Sequence, residues 1–411
     1  MPGLKSKISI AVAAFRYNVF RKPRILRRVR EQDRITVVFF AINVAMWKYD
    51  GFFRLLLEDP RFNPVIVSFL YPADTQEGRR RAQEEMKSFF SSKGYPYYDS
   101  FDFPSGRWLD VKRLKPDIIF YAQPYDDGFG SYRIRAFWNR CLFAYIPYSN
   151  SLEADAGFYN RLLHNVAWRI FYPTEHHRQM AMRHSLVGGR NIVVSGFSMA
   201  DRLLEDTPAD GSMWKVQDEG VKRVIWAPHH SILKNQGLGY SRFLELADGM
   251  TALAQQYDGR IQFAFKPHPR LRSMLEKDPS WGVEKTDAFY RLWSSMPNTV
   301  YVDGDYVELF RSSDAMVHEC SSFMGEYLFF GKPVMFAGNY GSAMSHLNDF
   351  GKACLECHYR GESIGEIQAF LDDVVLGGKD TLKPRREAFR QSLAGEGGVA
   401  RRLYEDFKAG L

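Results

Sequence analysis

Three polar clusters in the second half of the chain each follow an apolar run. His229-His230 comes after Arg223–Trp226, Lys266-Pro267-His268-Pro269-Arg270 after Ile261–Phe265, and Glu319-Cys320-Ser321-Ser322 after Asp314–His318. Lysine, arginine and histidine supply charged or ring N–H donors, and a helix start with free backbone N–H groups suits an anion, typically a phosphate. Glu326, about one turn into the helix that follows, can accept hydrogen bonds from ribose hydroxyls. Taken singly, each feature has a plain structural reading: a serine N-cap, a loop histidine pair, a rigid Lys-Pro-His-Pro turn. Recurrence at three equivalent places points instead to a diphosphate site made of His229, His230, Lys266, His268, Arg270, Glu319, Ser321 and Ser322.

The elements that must position these groups alternate between strand and helix patterns. Asp314–His318 reads as a strand, Phe323–Phe330 as a helix stopped by Gly331-Lys332-Pro333, and Val334–Phe336 as the next strand. Upstream in this half, Arg223–Trp226, Ile261–Phe265 and Thr299–Val302 read as strands and Phe243–Tyr257 as a helix. The first half repeats the pattern, with strands at Ile35–Ala45, Pro64–Tyr71, Ile118–Ala122, Leu142–Pro147, Ile170–Pro173 and Asn191–Ser195, and helices at Gly51–Leu57, Gln76–Ser92 and Glu175–His184. This order predicts an α/β protein of two Rossmann-like domains with a cleft between them, ligands lying beyond the carboxyl ends of the strands. The expected divisions are a basic helical segment 1–34, a first domain 35–205, a polar linker 206–220, a second domain 221–376, and C-terminal helices 377–411 that cross back to the first domain.

At 411 residues the chain is too long for one ordinary core, and 45% hydrophobic with 25% charged content is that of a globular protein. The net charge of +7 is unevenly spread: residues 1–34 hold ten Lys/Arg against two acids, a local +8 that leaves the remainder about −1. A nucleic-acid partner is therefore not expected. Ile8–Val12, Phe15, Tyr17, Val19 and Phe20 interleave with these cations, so the segment reads either as an amphipathic helix on an anionic membrane surface or as a solvated helix packed on the protein. A cytoplasmic location, peripheral on the inner face of the membrane, is the expectation. Four cysteines indicate no disulfide framework. Cys354-Leu355-Glu356-Cys357-His358 has the spacing of haem attachment, but that chemistry needs export, for which no signal is visible. Asp303-Gly304-Asp305 reads as a turn rather than a cation site, so neither a metal nor a cofactor is expected.

Phe265-Lys266-Pro267-His268-Pro269, and Ser313-Asp314 with Glu319-Cys320-Ser321-Ser322, Glu326 and Lys332-Pro333-Val334-Met335-Phe336, resemble the CDP-glycerol glycerophosphotransferase family. These are teichoic-acid-type primases and polymerases of GT-B fold. Ala227-Pro228 and the stretch from Thr174-Glu175 to Asp201 are similar to further segments of that family, and looser versions occur in capsule Kdo transferases and other GT-B enzymes. The resemblance implies that His268 contacts the CDP diphosphate and stabilises its departure, that Ser321 and Ser322 hold phosphate oxygens, and that Glu326 stands where the family has an aspartate. Glu319 also replaces an aspartate, and His229-His230 replaces a segment that carries threonine and often arginine. The family's His-Gly segment, whose histidine is its proposed base, corresponds here to Tyr145-Ile146-Pro147-Tyr148-Ser149-Asn150, without histidine. Asp50 and Asp126 are the acceptor-side candidates by position, with Asp155 and His164 next. The implied activity is transfer of a glycerophosphate-type group from a CDP-activated donor to a hydroxyl of a glycan or lipid-linked acceptor. The alternatives are a GT-B glycosyltransferase using a CMP- or UDP-sugar, and a non-catalytic nucleotide-sugar-binding scaffold at the membrane.

Overall fold

The computed structural model describes residues 4–72, 74–125, 128, 130–232, 239–304, 306–394 and 398–411. Its first sheet is built on β1 (Ile35–Ala41), whose residues 37–40 are at most 1% exposed, as a central parallel strand covered on both faces must be. β1 is shorter than the apolar run predicts, because Asn43 turns the chain, its side chain accepting the Met46 N–H at the start of a 3₁₀ turn. β2 (Phe62–Ser68) and β3 (Tyr97–Tyr98) extend the sheet on one side. β4 (Phe101–Asp102) and β5 (Arg107–Trp108) form a separate antiparallel hairpin. β6 (Ile118–Tyr121), β7 (Leu142–Tyr145), β8 (Arg169–Tyr172) and β9 (Ile192–Val194) complete the other side, giving the order β3-β2-β1-β6-β7-β8-β9.

The second sheet contains β10 (Lys222–Ala227), β11 (Ile261–Phe265), β12 (Thr299–Tyr301), β13 (Ala315–His318), β14 (Val334–Phe336) and β15 (Tyr359–Arg360), in the order β12-β11-β10-β13-β14-β15. All its pairings are parallel, and β10 lies between β11 and β13 with Trp226 opposite Phe265 and Val317, and Ala227 opposite His318. Those three strands therefore end at the same edge. Trp226 anchors the core beneath that edge, its ring 4.8 Å from Trp293, 5.1 Å from Phe265 and 5.7 Å from Phe243.

The chain divides into a first unit of Met1–Ser151, Asp155–Asp201 and Gly395–Leu411, and a second of Leu152–Ala154 and Arg202–Ala394. The stretch read as a linker is partly built into the second unit: Trp214 is 1% exposed and donates its Nε1–H to Ser312 Oγ at 2.9 Å. The C-terminal segment splits. Helix Lys383–Ala394 belongs to the second unit, while helix Val399–Ala409 belongs to the first, where the Asp201 carboxylate accepts the N–H groups of Val399 and Ala400, both at 2.7 Å.

The basic N-terminal segment forms helix Leu4–Arg16, a π-helical turn Tyr17–Arg21 and helix Lys22–Arg30, all in the first unit. Ala14, Tyr17, Ile25 and Val29 are buried, while Ile8, Val12, Phe15, Val19 and Phe20 are exposed. Among the described residues no helix is long and apolar enough to cross a membrane.

Candidate functional site

The loops that carry the polar clusters continue the sheet's hydrogen bonding past the strand ends. Lys266 N–H donates to Trp226 O at 2.8 Å, His268 N–H to Pro228 O at 3.0 Å, and Glu319 N–H to Ala227 O at 3.1 Å. This gathers three imidazoles: ring centroids lie 4.2 Å apart for His229 and His230, 4.1 Å for His230 and His268, and 5.0 Å for His229 and His268. Lys266 is buried in the same loop as His268, whereas Arg270 is exposed at the start of helix Leu271–Leu275.

Burial, reinforced by neighbouring imidazoles and Arg270, pulls the pKa values down to about 2 for His229, about 4 for His230 and about 3 for His268. All three rings are neutral at neutral pH, and the hydrogen bonds around them fix two tautomers. His268 Nδ1 accepts the Arg270 N–H at 3.1 Å. His229 Nδ1 accepts the Ser231 N–H at 3.3 Å and lies 2.8 Å from Ser231 Oγ, which itself accepts the Tyr240 N–H at 3.1 Å and so has its proton to give. A neutral ring that accepts at Nδ1 carries its proton on Nε2. The three rings bring one nitrogen each within 4.8 Å of one another, close enough to raise the question of a metal. A metal ligand offers a lone pair, however, and is normally a donor at its other nitrogen. His229 and His268 have the reverse arrangement, which suits an anion.

Glu319 does something other than hold a ligand. It is 1% exposed, and its carboxylate accepts the His229 N–H at 2.9 Å, the Ser241 hydroxyl at 2.6 Å and the Arg242 N–H at 2.7 Å. These donors occupy both oxygens, so Glu319 braces the histidine loop against the start of helix Phe243–Gln256. Burial raises its pKa to about 7 against the pull of those hydrogen bonds. Glu326 also faces inward: it is 1% exposed and accepts from the Tyr306 hydroxyl, which corrects the expectation of a ribose contact. Ser321 and Ser322 begin helix Ser321–Glu326, but Cys320 holds the N-cap position without a side-chain capping bond. Both serines are half-buried, and neither hydroxyl has a hydrogen-bond partner among the described residues.

The acceptor-side candidates fare differently. Asp50 accepts the Trp47 indole N–H at 2.9 Å and pairs with Lys93 at 3.1 Å and Arg54 at 3.7 Å, the engagement of a structural carboxylate. Asp155 accepts the Gly157 N–H at 2.8 Å in a 3₁₀ turn. His164 is buried, bonded at both nitrogens to Arg161 N and Tyr172 Oη, and desolvation lowers its pKa to about 3. Asp126 lies outside the described residues, as does Asp305; Asp303 accepts the Gly304 N–H at 2.8 Å, a turn interaction.

Sequence reasoning missed Ser231, Ser241 and Arg242, which set the histidine and glutamate positions. The Ser231 signal was its place directly after His229-His230; Ser241 and Arg242 gave none. It named Lys332 only within a helix stop and a motif and missed its role: the ammonium donates to the carbonyls of Phe310 at 3.0 Å, Arg311 at 2.6 Å and Ser313 at 2.5 Å and so closes helix Val307–Ser312. Gly331, at φ +67°, turns the chain into that position.

Residues 158–340 match the model of the CDP-Glycerol:Poly(glycerophosphate) glycerophosphotransferase family. The resemblance read from the motifs is borne out by this match. The glycerophosphotransferase match spans His229, His230, Lys266, His268, Arg270, Glu319, Ser321, Ser322 and Glu326, and excludes Asp50 and Asp126. No curated protein matches the chain at a significant level. Among solved structures, Staphylococcus aureus MnaA with UDP superposes at a TM-score of 0.60 with 14% identity, covering 92% of this chain and 96% of that one. UDP-GlcNAc 2-epimerase from Neisseria meningitidis, bound to UDP-GlcNAc, gives 0.61 with 14% identity, covering 92% and 100%. Anabaena Alr3699/HepE in complex with UDP and glucose gives 0.52 with 13% identity, covering 92% and 98%. At these identities the likeness concerns the fold: the chain has the two-domain α/β architecture of GT-B proteins, as its strand order predicted. The family match supports a transferase.

Proposed function

We propose that the protein transfers a glycerophosphate-type group from a CDP-activated polyol to a hydroxyl of a lipid-linked or glycan acceptor. The observation that carries this reading is the His229, His230 and His268 cluster beside Lys266, at the shared edge of β10 and β11 and inside the glycerophosphotransferase match. In the proposed step the acceptor oxygen bonds to the phosphorus of the polyol phosphate, the bond from that phosphorus to the CMP oxygen breaks, and the acceptor proton passes to a base. His268 and His229 donate Nε2–H groups to diphosphate oxygens. Lys266 and Arg270 supply fixed positive charge, and the Ser321 and Ser322 hydroxyls complete the anion seat. Preorganised donors of this kind stabilise charge as it develops on the leaving group. Asp126 keeps its candidacy as the base from its place after β6. The basic segment 1–34 holds the enzyme at the inner, anionic face of the cell membrane, near a lipid-linked acceptor.

A second reading, a glycosyltransferase using a nucleotide sugar, draws its support from the fold likeness to structures solved with UDP. The test is a thermal-shift panel with CDP-glycerol, CDP-ribitol, CDP, CMP-sugars and UDP-sugars, since a ligand that binds only the native state raises the melting temperature. Stabilisation by CDP and CDP-polyols, lost in His268→Ala, supports the first reading. Stabilisation by UDP- or CMP-sugars alone moves the assignment to the second, and no response to any of them removes the nucleotide site.

A further inference from the structure

The N-terminal helix has a second apolar face that the protein does not cover. One side of the segment is fastened down: Tyr17 Oη–H donates to Cys141 O at 2.7 Å and Asn18 Nδ2–H to Asn165 O at 2.8 Å. On the outer side Ile8, Val12 and Phe15 follow one another at i, i+4 and i+7, the spacing of one α-helix face, and are 55%, 49% and 61% exposed, while Val19 in the π-helical turn is 48% exposed. Phe20, 60% exposed, packs its ring 6.1 Å from that of Phe15. Single exposed apolar residues are ordinary, but a contiguous row on a basic helix marks an interaction surface.

Along this row lies a groove of about 530 Å³, within the range of ligand seats. Phe15 and Val19 form one wall, Leu186 and Val187 contribute to the other, and Lys22 and Arg190 also line it. No aspartate or glutamate lines the groove, and neither Lys22 nor Arg190 has an ion pair among the described residues. Lys22 is pulled below the ordinary lysine pKa by burial and by Arg169, as an ammonium without a carboxylate partner is.

We propose that this groove seats one anionic phospholipid, its phosphate against Lys22 and Arg190 and an acyl chain along Phe15, Val19, Leu186 and Val187, while Ile8, Val12 and Phe20 enter the leaflet. The inference rests on the membrane-facing reading of residues 1–34 and adds to it a stoichiometric site, where charge attraction alone needs none. A second copy of the chain is a poorer occupant: a twofold contact on this face would set one +8 segment against another. Nucleic acid would leave the apolar row exposed.

The test uses the full-length chain and a soluble, monomeric short-chain lipid, dihexanoyl phosphatidylglycerol, with binding followed by titration calorimetry. Saturable binding at one lipid per chain is expected, with much weaker binding of dihexanoyl phosphatidylcholine. Lys22→Ser with Arg190→Ser should weaken it by about tenfold or more. Arg24→Ser with Arg27→Ser, which removes two exposed cations outside the groove, should leave it unchanged. Absence of saturable binding, or equal losses in the two double variants of unchanged melting temperature, overturns the site. Sedimentation with phosphatidylcholine vesicles, with and without phosphatidylglycerol, separates the two levels. Vesicle binding without short-chain binding leaves the membrane reading and removes the groove; short-chain binding without vesicle binding does the reverse. A change of particle size in Phe15→Asp without loss of lipid binding would assign the face to a second copy instead. None of these variants lines the nucleotide site, so CDP stabilisation reports separately on the proposed transfer.

Discussion

Glu319 reaches across 90 residues of sequence to accept the backbone N–H of His229 at 2.9 Å, and this bond joins the β13 loop to the loop that carries the histidine cluster. The same carboxylate holds Ser241 and Arg242, so a single acid decides where the rings lie relative to the helix behind them.

This arrangement gives stability a defined pH dependence. Glu319 has a folded pKa of about 7 against an ordinary 4.5. An acid raised in this way favours the folded state while it is protonated, so its contribution is complete below about 4.5 and is lost as the pH rises through about 7. The loss amounts to about 3 kcal/mol. The histidines act in the opposite sense. Their folded pKa values lie below the ordinary 6.5, so their contribution is present above 6.5 and declines as the pH falls. Urea unfolding from pH 4.5 to 8 should therefore show wild type losing stability relative to Glu319→Gln as the pH rises. A difference that does not change with pH would mean that Glu319 does not titrate in this window.

Much of this was legible in the residues and some of it was not. Buried parallel strands announce themselves as unbroken apolar runs, so Ile261–Phe265 was read to the residue. The helices Gln76–Ser92 and Glu175–His184 were likewise read to the residue. Strands such as β3 and β15, two residues each, carry no period at all. The cluster of His229, His230 and His268 followed from parallel strand ends, which bring loops together whatever their separation in sequence. The inward roles of Glu319 and Glu326 did not follow, because a carboxylate's partners are set by side chains from other elements: Ser241 and Arg242 lie 78 and 77 residues from Glu319. Asp50 misled for the same reason, its partner Lys93 lying on a distant turn.

Lys332 is a structural cation. Its ammonium is buried against the carbonyls of Phe310, Arg311 and Ser313, and desolvation lowers its pKa to about 8. Lys332→Met keeps most of the stem's volume but takes the ammonium from three carbonyls, of which Phe310 O keeps only the Ser313 hydroxyl at 3.0 Å. A destabilisation of about 3 kcal/mol is expected, measured by chemical denaturation, since hydrogen bonds to charged groups contribute more than neutral ones. Lys332→Arg should recover little, as a planar fork does not fit three converging carbonyls.

The C-terminal helix Val399–Ala409 is fastened at its start by Asp201, whose two oxygens take the N–H groups of Val399 and Ala400. Asp201→Ala removes this cap and should cost about 1–2 kcal/mol. Hydrogen exchange should register the loss first at 399–403, with the second unit unchanged. Uniform acceleration over both units would show that the helix start is not separately held.

The tautomer assignment of His268 makes a prediction about catalysis that separates it from a general acid and from a metal ligand. With Nδ1 accepting the Arg270 N–H, the ring can present only an Nε2–H donor without breaking that bond. His268→Gln can offer an amide N–H near the Nε2 position, whereas His268→Ala offers nothing. In the proposed transfer, His268→Ala should lower kcat by about 10²–10³-fold, the loss associated with removing one preorganised donor. His268→Gln should retain a measurable part of that rate, along with CDP-dependent thermal stabilisation. The wild-type rate should also show no inflection near the ordinary histidine pKa of 6.5 attributable to this ring, because burial holds it down to about 3. If the glutamine variant is as slow as the alanine variant while both fold, donation from Nε2 is not what His268 contributes. Proton transfer by the ring then becomes the better account.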